Sequence, residues 1–115
     1  VDDDDMVLDT GSKILKRLGY SVMEAKDGKE ALEIYKAYHH EIDLVILDII
    51  MPNMGGGDVF DRIRMINREA KVLLSSGYSV EGQAKEILSR GCNGFIQKPF
   101  SINALSATIR SILDS

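Results

Sequence analysis

The 115-residue sequence has one cysteine, two prolines, no long apolar run and no excess of basic charge. A single cysteine, Cys92, excludes an intrachain disulfide and a cysteine-based zinc cage. With so little proline, 44% hydrophobic and 28% charged residues, the chain is neither collagen-like nor disordered. Its longest apolar run is Leu44-Val45-Ile46-Leu47, against the ~20 residues of a membrane span. The start, Val1-Asp2-Asp3-Asp4-Asp5, is acidic and unlike a signal peptide, so a reducing cytosol is the simplest compartment. A net charge of −4 argues against a nucleic-acid-binding face. The four aspartates at positions 2–5 equal that whole net charge, because the remaining 14 acidic and 14 basic residues cancel.

What is present is one domain's worth of chain, residues 1–115, divided by Gly, Asn, Asp and Pro into amphipathic stretches and short apolar runs. Helical spacing predicts helices over about 6–18, 28–39, 58–67, 80–90 and 102–113. Asp27 opens the second as part of a capping box, and Ser101 caps the last. Their inward faces are expected to be Val7, Ile14, Leu15 and Leu18; Ala31, Leu32 and Tyr35; Val59, Phe60, Ile63 and Ile66; and Ile102, Leu105, Ile109 and Ile112. Strands are expected over 20–25, 42–47, 71–75 and 94–97. The 42–47 run lacks polar alternation beyond Asp43, as a strand covered on both faces does. Strands alternating with helices imply right-handed crossovers and a parallel sheet between two helical layers. A helix at position 6 preceded by Val1 and four acids implies a first strand largely missing from this chain, with Val1 as its last residue.

In such a sheet, ligands bind beyond the carboxyl ends of the strands. After the first apolar residue come Asp2 and Asp3, after the second run Asp48, after the third Ser75 and Ser76, and after the fourth Lys98-Pro99. Three carboxylates at one edge repel unless a cation joins them, and oxygen ligands with open positions suit Mg²⁺. A hydroxyl and an ammonium beside them can hold phosphoryl oxygens, and a carboxylate can accept a phosphoryl group.

Asp2-Asp3, Asp48 with Met51-Pro52, Ser76-Gly77 and Lys98-Pro99-Phe100 together resemble response-regulator receiver domains of two-component signalling. The 51–57 loop and Ser75-Ser76-Gly77-Tyr78 look most like receivers fused to hybrid sensor histidine kinases. The resemblance implies a flavodoxin-like α/β sandwich with a five-stranded sheet of order 2-1-3-4-5. It implies that Asp48 is the phosphoacceptor, supplied by a kinase phosphohistidine in a Mg²⁺-dependent phosphorelay step. Asp3, Asp48 and the Ile50 backbone carbonyl would bind the metal, with Asp2 acting through water. Ser76 would be the switch hydroxyl, Lys98 the phosphate-pairing cation, Phe95 the aromatic switch and Lys98–Pro99 a cis peptide. The implied partners are a histidine kinase or a histidine phosphotransfer domain, with no nucleic acid and no membrane contact by this domain. A homodimer through the face of the fourth and fifth helices is left open. So is tethering of a cytoplasmic domain to a membrane-bound kinase. Asp4 and Asp5 match no required position and are assigned to the helix N-terminus. The bulk of Ile50 and Tyr78, two residues after Asp48 and Ser76, is expected to slow hydrolysis of an aspartyl phosphate.

Alternatives remain at this point. Context could be a stand-alone response regulator. Asp3-Asp4-Asp5-Met6-Val7 also fits the D-x-D-x-[TV] pattern of haloacid-dehalogenase-type phosphatases, with Asp3 as nucleophile. A receiver-like interaction module that takes no phosphate is the third class. His39-His40 reads as a helix-end pair and Cys92 as a small packed residue.

Overall fold

The computed structural model describes residues 1–51, 54–77 and 82–115. In chain order the elements are α1 (Asp5–Arg17), α2 (Gly28–Tyr38), β1 (Val45–Asp48), α3 (Gly56–Ile66), β2 (Val72–Ser76), α4 (Gln83–Ser89), β3 (Gly94–Gln97) and α5 (Ile102–Leu113). Local chemistry sets most helix starts. Asp27 accepts from the Glu30 amide at 2.8 Å, and Ser101 accepts from the Ala104 amide at 3.0 Å, each satisfying a first-turn donor. Gly19 and Gly91, at φ of 96° and 100°, take the left-handed turns that follow α1 and α4. The helix expected from 58 begins two residues earlier, at Gly56. A Cβ there would lie 2.7 Å from the Asp48 carbonyl oxygen, so glycine alone allows this close approach to β1. The start of the expected 80–90 helix lies partly outside the described residues.

The strands pair in parallel in the order β1-β2-β3, with Asp48 opposite Ser75 and Ser75 opposite Ile96. Side chains alternate between the two faces of β2. Val72 and Leu74 join a core with Val59, Phe60 and Ile63 of α3 and Leu32 and Tyr35 of α2. Leu73 joins a second with Leu105, Ile109 and Ile112 of α5, and Ile14 and Leu15 of α1 pack against it. Each such buried aliphatic or aromatic side chain contributes about 1.5–3 kcal/mol. The sheet is therefore sandwiched, with α1 and α5 on one face and α2, α3 and α4 on the other. Ile102 departs from its expected inward position and is 43% exposed.

Three strands are assigned among the described residues, where four and the last residue of a fifth were expected. The difference lies in the first two. Val1 does run as a parallel neighbour of β1: its ammonium donates to the Ile46 carbonyl at 2.7 Å, and its carbonyl accepts from the Asp48 amide at 3.0 Å. On its other side the Asp2 amide donates to the Ala25 carbonyl at 3.1 Å. The expected 20–25 strand thus has one ladder bond and is not assigned as a strand, because two residues are all that stand between it and β1. The neighbour relations, Ala25 beside Asp2 and Val1 beside β1, follow the order 2-1-3-4-5. At the far end of the sheet, the Lys71 ammonium donates to the carbonyls of Ile112, Leu113 and Ser115 at 3.1, 3.2 and 3.2 Å, closing the last turn of α5. Among the described residues no helix is long and apolar enough to cross a membrane.

Candidate phosphoacceptor and metal site

The sheet register brings the chemistry to one edge. Asp48 ends β1, Ser76 ends β2, and Lys98 follows β3, its amide donating to the Ser76 carbonyl at 2.7 Å. Asp2 follows Val1, the neighbour of β1. These residues, with Asp3, Asp4, Ile50 and Gly77, line an open depression of about 240 Å³. Asp2, Asp48 and Ser76 are buried, while Asp3 is exposed. A carboxylate oxygen of each of Asp2, Asp3 and Asp48 lies within 4.8 Å of the others.

Lys98 compensates part of that charge. Its ammonium donates to Asp2 Oδ2 at 2.9 Å and stands 3.4 Å from Asp48 Oδ1. Burial alone would pull the Lys98 pKa down, but the hydrogen bond to Asp2 and the charge of Asp48 override it and raise it. The Asp48 carboxyl is raised above its ordinary value chiefly by burial. Asp2 adds to this, while Lys98 and a backbone hydrogen bond from Ile50 oppose it. The other oxygen of Asp2 accepts from the Asp4 amide at 2.9 Å. Asp4 in turn is the N-cap of α1, accepting from the Met6 and Val7 amides at 3.0 and 3.3 Å. Asp5 stands in the first turn and pairs with Lys26 at 3.4 Å. Sequence reasoning assigned Asp4 to the helix end, which is so, but missed its place in the depression and its hold on Asp2. The signal was available: an aspartate accepting from the amide two residues on is an Asx-turn.

The donor set suits Mg²⁺. Ligands about 2.1 Å from one ion lie about 3–4 Å from each other, which the 4.8 Å limit on these oxygens accommodates, and hard carboxylate oxygens are its preferred donors. Three acids face one ammonium from Lys98, leaving negative charge for a divalent ion to neutralise.

Phe95 is partly buried against the first core, and the Lys98–Pro99 peptide is cis, as the resemblance implies. Pro52 and Tyr78 lie outside the described residues. The other singled-out residues stay apart from the site. The Cys92 thiol donates to the Val72 carbonyl at 3.1 Å and is pushed up by burial. His39 and His40 stack on each other with ring centroids 4.0 Å apart.

A family model described as the response regulator receiver domain matches residues 1–110. The chain belongs to the response regulator receiver family. The sensor kinase CckA of Brucella abortus (strain 2308) is 35% identical over 114 residues, covering 99% of this chain and 12% of that protein. The chemotaxis protein CheY of Treponema pallidum (strain Nichols) is also 35% identical over 114 residues, covering 98% of this chain and 79% of that one. A crystal structure of a response regulator receiver domain protein from Clostridium thermocellum superposes with a TM-score of 0.93 at 26% identity, covering 98% of this chain and 90% of that one. The receiver is thus a signalling domain of two-component phosphorelays with the flavodoxin-like fold, and not a turnover enzyme. Receivers bind Mg²⁺ at an acidic pocket and work with histidine kinases or phosphotransfer proteins. The phosphatase alternative falls with the family match, which covers nearly the whole chain.

Proposed function

We propose that residues 1–115 form one receiver domain in which Asp48 accepts a phosphoryl group from a kinase or phosphotransfer-protein phosphohistidine. An Asp48 carboxylate oxygen attacks phosphorus, the P–N bond breaks as the P–O bond forms, and the imidazole leaves as the neutral base after taking up a proton. The observation that carries this reading is the convergence on Asp48 of the Lys98 ammonium, 3.4 Å away, and two further acids whose oxygens lie within 4.8 Å. Asp3, Asp48 and the Ile50 carbonyl would hold Mg²⁺, with Asp2 acting through water, and a bound ion would supply neutralisation of phosphoryl oxygens. Lys98 and the Ser76 hydroxyl are placed to bind the remaining phosphoryl oxygens. The added charge of about −1.5 to −2 draws both toward Asp48, and Phe95 and the segment around cis Pro99 repack with them. This biases a two-state surface formed by α4, β3 and α5, through which two copies associate. The 12% share of the Brucella sensor kinase supports a receiver that is part of a hybrid kinase; its proposed place is the cytoplasm, tethered through that kinase. The share of the Treponema chemotaxis protein keeps the stand-alone context in view.

The test is labelling by a small acyl-phosphate donor with Mg²⁺. The protein should label, and Asp48→Asn should not. Labelling that survives Asp48→Asn but is lost in Asp3→Asn would instead make Asp3 the acceptor. No labelling at all would leave a receiver fold that acts without phosphate.

A further inference from the structure

We infer that Asp4, which takes no part in the phosphoryl chemistry above, is a positioning residue that fixes Asp2 for the metal pocket; this rests on reading Asp2, Asp3 and Asp48 as a divalent-cation site. The two oxygens of Asp2 have separate donors. Oδ2 accepts from Lys98, 96 residues away in sequence, and Oδ1 accepts from the backbone amide of Asp4, each at 2.9 Å. The plane of the carboxylate is therefore set jointly by β3's exit and by the entry to α1.

The Asp4 amide can serve because Asp4 is itself immobilised. Its side chain accepts from two first-turn amides, its carbonyl accepts from the Leu8 amide at 2.9 Å, and its backbone is extended at φ −87° and ψ 112°. Three hydrogen bonds to α1 thus aim one N–H at Asp2. Remove the side chain, and the first turn of α1 loses its cap. The Asp4 amide then loses its fixed direction, and Asp2 is held by Lys98 alone. Lys98 would pull it away from any ion, since ammonium and metal compete for the same carboxylates. Outer contacts of this kind orient a metal's ligands and set its affinity.

A rival account is that Asp4 acts only by its charge. Asp4→Asn separates the two, because asparagine keeps the capping oxygen and drops the charge. Asp5→Ala removes a neighbouring charge whose side chain is 76% exposed. Asp4→Gly is a second truncation, with a residue that helix N-termini tolerate better than alanine. Mg²⁺ dissociation constants are measured by calorimetry, below the onset of unfolding followed by circular dichroism for every variant. Asp4→Ala and Asp4→Gly should weaken Mg²⁺ about tenfold, while Asp4→Asn and Asp5→Ala bind as the unsubstituted protein does. Truncated variants that are folded and bind Mg²⁺ normally overturn the inference. So does an Asn variant as weak as Ala, which would make the effect one of charge. Failure of the unsubstituted protein to bind Mg²⁺ overturns the metal reading itself, and is told apart because no substitution is involved.

Discussion

Lys98 is bonded more closely to Asp2 than to Asp48, at 2.9 Å against 3.4 Å. The cation expected to pair with the acceptor is thus anchored on a neighbour of the acceptor. Lys98 is thereby held beside Asp48 without being its closest partner.

That anchoring predicts the effect of removing the ammonium. Lys98→Met leaves two buried carboxylates without their cation, and should destabilise the protein by about 2 kcal/mol. This is below the 3–5 kcal/mol typical of a fully buried pair, because the Lys98 side chain retains 17% exposure. Mg²⁺ should restore part of the loss, since it replaces the missing charge. Denaturant unfolding with and without Mg²⁺ checks both. An equal deficit in the two conditions would separate Lys98 from the metal pocket.

The raised pKa of Asp48 gives a second prediction. The folded protein holds this proton to higher pH than the unfolded chain, whose ordinary value is 3.8. Its stabilising contribution is therefore present below that value and is lost as pH rises through the raised folded value. At neutral pH without metal, Asp48→Asn should raise the melting temperature, and the gain should shrink as pH falls through the raised folded value and be gone below 3.8. The opposite pH trend would show that ionised Asp48 is held favourably.

Two glycines should respond with opposite sign to the same change. A Cβ at Gly11, within α1, meets nothing within 4 Å, so Gly11→Ala should stabilise by about 0.5–1 kcal/mol. A Cβ at Gly56 falls 2.7 Å from both the Asp48 carbonyl oxygen and the Ile49 Cα, which are backbone and cannot step aside. Gly56→Ala should cost about 1–3 kcal/mol and slow phosphorylation of the displaced Asp48. Unfolding curves and labelling rates read the two effects separately.

Ile50 is 55% exposed and lines the depression beside Asp48. From that position its bulk is expected to hinder water approaching an aspartyl phosphate on Asp48. Ile50→Asn should shorten the phosphorylated lifetime severalfold, measured as loss of label after removal of the donor. An unchanged lifetime would remove Ile50 as a barrier.

The parts legible in the sequence were those fixed by local periodicity and punctuation. The inward faces of α2 and α3, the Asp27 and Ser101 caps, and the acids and cation at the strand ends needed only spacing. Parts fixed by long-range partners were not legible. The 20–25 segment has strand composition, but a strand is defined by its neighbour, and Asp2 offers it one bond. Ser12 is a buried helix residue whose hydroxyl donates to Glu24 at 2.6 Å, a partner that helical periodicity does not name. The preference of Lys98 for Asp2 depends on distances that no spacing rule contains.

The Lys71 clamp on α5 has a consequence for how a signal crosses the molecule. Lys71 immediately precedes β2, and Ser76 ends it, so one strand of five residues joins the acceptor pocket to the last turn of α5. That strand is about 17 Å long. A phosphoryl group on Asp48 that displaced this short, fully buried rod would move the last turn of α5 with it.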